Sequence, residues 1–160
     1  MTSKTMWIVL ALAFSPAACL AGGGPGEDCV TGGFDTAVHH GVAKLCVTTS
    51  QEAAPKNGWR WGSEFSPPRV RPISLSILID GETIFVPVSS YADLGNPRDL
   101  TMSASEDFFE IVIKGGDAAV AYTAKLRIKG LFVRERAVTN NEFSAEATEK
   151  SVYSYNESLN

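Results

Sequence analysis

Apolar and polar residues alternate over most of the second half of the chain. In ISLSILID, the residues Ile73, Leu75, Ile77 and Ile79 fall on one face of an extended segment. Asp80-Gly81 then supplies a type I′ hairpin turn, and Thr83 to Val88 forms the return strand. Pro87 puts that return at an edge or a strand end. YADLGNPRDL reads as a loop or short helical turn, stopped by Gly95 and Pro97. DFFEIVIKGGDAAVAYTAKLRIKG reads as strand, glycine turn, strand. Phe109, Ile111 and Ile113 share a face in the first strand, and Tyr122, Ala124, Leu126 and Ile128 share one in the second. Gly130 turns the chain into LFVRERAVT, and a last short strand falls near Ser151 to Tyr155.

Earlier in the chain, Val42 to Thr49 alternates and carries β-formers. FDTAVHH before it is either the partner strand or one helical turn. Ser50 to Pro72 has four prolines, two glycines and no sustained period, so it reads as one long loop. Short alternating strands joined by glycine turns predict a mainly β domain: an antiparallel sandwich or a partly open barrel.

The N-terminus departs from this pattern. Lys4 precedes a short apolar run from Met6 to Phe14, followed by small residues. That is the layout of a secretory signal peptide, and the run is too short to span a bilayer as a helix. Two maturation routes fit. In one, cleavage follows Ala21. In the other, PAAC resembles a bacterial lipobox, which implies lipidation of Cys19. The domain reading is therefore 1–21 as signal peptide, 22–28 as a glycine-rich tether and 29–160 as the β domain. The expected location is the periplasm or cell envelope of a bacterium, with soluble export slightly favoured over a lipid anchor. Either route leaves Cys29 and Cys46, an even pair that predicts a disulfide in an oxidising compartment.

Charge narrows the partner classes. The formal net charge is −4 at pH 7, and losing Lys4 makes it −5. A mildly acidic, exported chain does not suit nucleic-acid binding. A membrane enters only through the anchor at Cys19. GxSxG, HExxH and P-loop signatures are absent from the sequence. His39 and His40 are neighbours that would point to opposite faces of a strand. Asp80, Asp93 and Asp117 each sit in a turn signal, where carboxylates commonly satisfy backbone groups. Glu106 and Asp107 precede a strand. No cofactor, metal or catalytic residue is assigned.

Two stretches are candidate contact surfaces. Trp59, Arg60 and Trp61 combine residue types favoured at binding hot spots; the competing expectation is that the tryptophans fold back and cap one end of the sandwich. Thr123, Lys125, Arg127 and Lys129 form a polar and basic stripe opposite an apolar face. Arg134 and Arg136 are expected to continue it on the next strand. It suits an anionic partner, or is a solvated face with lysines guarding an edge strand. The sequence-level expectation is a non-enzymatic exported protein that binds another macromolecule. The alternatives are an inhibitor or immunity-type protein that blocks a secreted toxin or enzyme, and a hydrolase using a carboxylate acid/base pair.

Overall fold

The computed structural model describes residues 28–49, 61–63, 68–142 and 148–155. The segments read as signal peptide (1–21) and tether (22–28, up to residue 27), with Cys19, Trp59 and Arg60, lie outside the described residues. Strands β1 (Asp28–Asp35), β2 (His40–Thr49), β3 (Val70–Ile79) and β4 (Glu82–Thr83) form one antiparallel sheet in the order β1-β2-β3-β4. Strands β5 (Pro97–Ala104), β6 (Phe109–Gly115), β7 (Tyr122–Lys129), β8 (Phe132–Asn140) and β9 (Glu149–Val152) form the second, in the order β5-β6-β7-β8-β9. The sheets do not close into a barrel; they face one another as a sandwich.

The inner faces follow the expected alternation. Ala43, Leu45, Val47, Leu75, Ile77 and Ile79 come from the first sheet. Leu100, Met102, Ile111, Ile113, Tyr122, Ala124, Leu126, Ile128, Val133 and Val138 come from the second. Each fully buried aliphatic side chain contributes about 1.5–3 kcal/mol by leaving water. The sheets approach closely where β1 crosses β5, because a Cβ on Gly32 would lie 2.4 Å from the Leu100 carbonyl oxygen. Phe34 stacks on Phe109 beside that crossing, with centroids 5.5 Å apart.

Turn chemistry sets the hairpins. Asp80 and Gly81 have φ of 51° and 84°, the two left-handed residues that a type I′ turn requires. Gly130, φ 60°, takes the first central position between β7 and β8. FDTAVHH resolves as the end of β1 and its turn, with Asp35 paired to His40.

Four sequence expectations are corrected. Ile73 is 39% exposed, because the β2–β3 register shifts at Cys46/Val47 and a bulge takes Ile73 off the inner face. The return strand stops at Thr83. Ile84 turns inward, and Phe85 joins the other sheet by donating its N–H to Leu131 O and accepting from Val133 N–H. Part of YADLGNPRDL is not a loop: Pro97 starts β5, as an edge position of its sheet allows. The predicted loop ends early, since β3 begins at Val70.

Cys29 and Cys46 are direct cross-strand partners and form a disulfide, with Cα atoms 4.0 Å apart. No helix among the described residues is long and apolar enough to cross a membrane.

Candidate functional site

One end of the sandwich is built around Trp61. Its ring is buried at 7% exposure and lies 6.3 Å from the Tyr122 ring. Its indole N–H donates to Glu149 Oε2 at 3.3 Å. Trp61 therefore offers its area to the core, as the capping arrangement requires. Arg136, 3% exposed, donates to both oxygens of Asp93, at 2.7 and 2.8 Å, and also to Glu149. The ion cluster joins three separate stretches: the turn before β5, strand β8 and strand β9. A buried guanidinium is tolerated only with such partners: Nη2 serves both Asp93 oxygens and Nη1 serves Glu149, while Nε has no partner among the described residues.

Arg136 is thus not part of a surface stripe. The β7–β8 register shifts between Arg127 and Ile128, Arg134 becomes the extra residue, and Arg136 turns inward with Val138. The signal was available in part: Val133 and Val138 are five positions apart, an odd spacing for two inward residues on a period of two.

Backbone packing closes this end further. Asn96, φ 49°, donates from Nδ2 to Gly62 O at 2.9 Å and accepts the Val70 N–H at Oδ1. Its backbone pairs with Val70 O and Gly116 N–H. Gly62 has φ 78°, and a Cβ there would sit 2.1 Å from Gly95 O. The Tyr122 hydroxyl is buried without a hydrogen-bond partner among the described residues. Burial first, and the Asp93 charge second, push its phenol above the usual range.

The basic stripe is on the outer face of the second sheet, on β7. That strand is central in its sheet, so the lysines do not guard an edge. Carboxylates are interleaved with the stripe. Glu110 lies 4.0 Å from Lys125 and 3.7 Å from Arg127, and Glu135 lies 3.7 Å from Arg127. Arg127 also sits over the Phe108 ring, 4.9 Å from its centroid. Lys129 is exposed at the end of β7.

An aromatic edge escaped the sequence reading. Phe132 and Tyr155 stack with centroids 4.6 Å apart, and Phe85 meets Tyr155 edge-on at 5.6 Å. Arg134 lies over both Phe132 and Tyr155, at 5.1 and 5.3 Å. Phe85 is 56% exposed and the adjacent Leu131 45%. Phe85 and Tyr155 are 70 positions apart in sequence, so no local motif announces the cluster.

The opposite end carries the histidines. His39 Nδ1 lies 2.6 Å from Asp80 Oδ2, and His40 donates its backbone N–H to Asp80 Oδ1. These bonds hold the Asp80 carboxyl below the usual carboxylate range, the backbone bond most strongly. The His39 ring meets Phe109 edge-on. No metal-holding group of three or more such side chains occurs among the described residues. Of the turn carboxylates, Asp93 holds Arg136, Asp80 the histidines, and Asp117 pairs with Arg98.

Comparison with protein-family models, curated proteins and solved structures finds no match to this chain.

Proposed function

We propose that the protein is an exported, envelope-associated, non-enzymatic β-sandwich that binds a protein partner through the Phe85–Phe132–Tyr155 edge. The exposure of Phe85 and Leu131 beside the partly buried Phe132 and Tyr155 carries the reading. Aromatic rings grouped around an arginine are the residue types that dominate binding energy when they are desolvated. The backbone of Phe85 is pinned by two hydrogen bonds, so less ordering is needed on binding than for a residue on a free loop. The Cys29–Cys46 bond supports a non-cytoplasmic location, since thiols are kept reduced in the cytosol. The signal-like N-terminus and the lipobox-like PAAC stretch support export. Trp59 and Arg60, outside the described residues, stay in the proposal as sequence candidates for partner contact.

The test is in-cell photo-crosslinking with a probe at position 85 or 155, and a control probe at Thr101 on the exposed face of β5. The expected result is a discrete adduct at 85 and 155 that is absent at 101. No adduct at either position, or the same adducts at all three, overturns the reading.

A further inference from the structure

A row of charges crosses the outer face of the five-stranded sheet. Glu110 on β6, Arg127 on β7, Glu135 on β8 and Lys150 on β9 are joined by contacts of 3.7, 3.7 and 3.0 Å. Arg127 is the register partner of both Glu110 and Glu135, so three of the four charges lie on one line across the strands. Lys150 pairs with Ala137 in the next row and reaches back to Glu135.

The signs run negative, positive, negative, positive. Such a row is its own complement when reversed. A two-fold axis along the strand direction, midway between β7 and β8, lays the centre of the row over its reversed copy, with Glu110 opposite Val152 of that copy. Arg127 then faces Glu135 of a second copy, and Glu135 faces that copy's Arg127. This is the reciprocal pairing that a two-fold interface demands. The same operation puts Lys125 opposite Ala137 of the other copy, where a small side chain leaves room for the lysine stem.

A uniformly acidic or basic partner meets repulsion from half of the row, whereas a reversed copy meets complementary charge along its centre. The row is neutral in sum, while Lys114, Lys125 and Lys129 leave the outer face as a whole basic, so association depends on the opposite charges at the centre. Val112, Ala137 and Val152, the last 71% exposed, supply apolar surface between the charges. From this charge complementarity we infer that the outer face of the second sheet is a self-association surface, and that its occupant is a second copy of this chain. The inference is independent of the aromatic edge and its partner.

The experiment is sedimentation velocity on the exported, disulfide-bonded protein, with folding checked by circular dichroism. The native chain is expected to form a concentration-dependent dimer that added salt weakens. Arg127→Glu and Glu135→Arg, each alone, place like charges across the axis and weaken the dimer by more than about tenfold. Mixing the two variants restores opposite charges at both contacts, so a heterodimer forms. A charge row serving only its own sheet gives no such recovery. Should either reversal fail to fold, Arg127→Gln and Glu135→Gln are used, and each is expected to weaken the dimer. A monomeric native protein, variants that dimerise as tightly as the native chain, or a mixture of folded reversal variants that stays monomeric overturns the proposal.

Discussion

The two ends of the sandwich use the same ingredients in opposite settings. At one end Arg136, Asp93 and Glu149 meet beneath the Trp61 ring, with the guanidinium 3% exposed. At the other, His39, His40 and Asp80 meet in solvent, with side-chain exposures of 48, 73 and 36%. Strand β3 connects the two, with Val70 against Asn96 at the closed end and Ile79 beside the Asp80 turn at the open one. Water decides what each cluster is worth. A buried ion cluster is costly to break, because removing one member strands the others without solvent. An exposed one is screened, and its members resolvate. Clusters of carboxylates with nitrogen partners therefore carry very different stabilities at the two ends.

The sharpest way to break the contrast is Arg136→Ala. It leaves two half-buried carboxylates facing each other, and the expected loss is about 3–5 kcal/mol of unfolding free energy by denaturant titration. Adding Asp93→Asn and Glu149→Gln to it should recover part of that loss. If Arg136→Ala costs no more than an exposed pair, the closed end is wetter than its geometry states.

Glycine substitutions compare the ends through the backbone alone. Gly62 and Gly81 both have left-handed φ, 78° and 84°. A methyl group at Gly62 collides with Gly95 O, whereas at Gly81 it meets nothing within 4 Å. Gly81→Ala should cost about 1–2 kcal/mol from conformation alone, and Gly62→Ala distinctly more. Equal losses at the two sites would remove the steric half of the comparison.

Tyr122→Phe probes the buried phenol. The hydroxyl has no partner among the described residues, so its removal should be neutral or stabilise by up to about 1 kcal/mol. Its raised pKa has a definite sign. Stability from the protonated phenol is fully present below the unfolded value, near 10.0, and is lost as pH rises above it. The alkaline limb of the native protein's stability–pH curve should flatten in Tyr122→Phe.

The smallest effect belongs to the open end. The Asp80 carboxyl is held below its ordinary value of 3.8, so its contribution is present above that pH and fades as pH falls through the lowered value. Asp80→Asn should lower neutral-pH stability only slightly, with the difference vanishing in acid, so that the acid limb flattens. A large loss at pH 7 would show that the exposed cluster matters more than its setting implies.

What the sequence revealed follows the same division. Alternation located the inward residues of β6 and β7, and the Asp80-Gly81 and Gly130 turns were legible because each needs positive φ. The Cys29–Cys46 bond was legible from parity. Features that depend on bulges were not. Ile73 and Arg136 both changed faces at a register shift, and one inserted residue reverses the parity on which alternation rests. Strand β5 was hidden because Pro97 and the glycine before it read as breakers. The aromatic edge was hidden because Phe85 leaves its own sheet to pair with Phe132.

The position of the disulfide also sets how the domain carries mechanical load. Cys29 is the second residue of β1, directly opposite Cys46 on β2. A pull applied from the N-terminal side reaches the covalent link before the ladder that runs from Val30 to Asp35. Tension passes into β2, which is hydrogen-bonded on both sides, by β1 and β3. The edge strand is thereby shielded from being peeled away pair by pair. Reduction would remove the bypass and turn β1 into the first element to unzip under force.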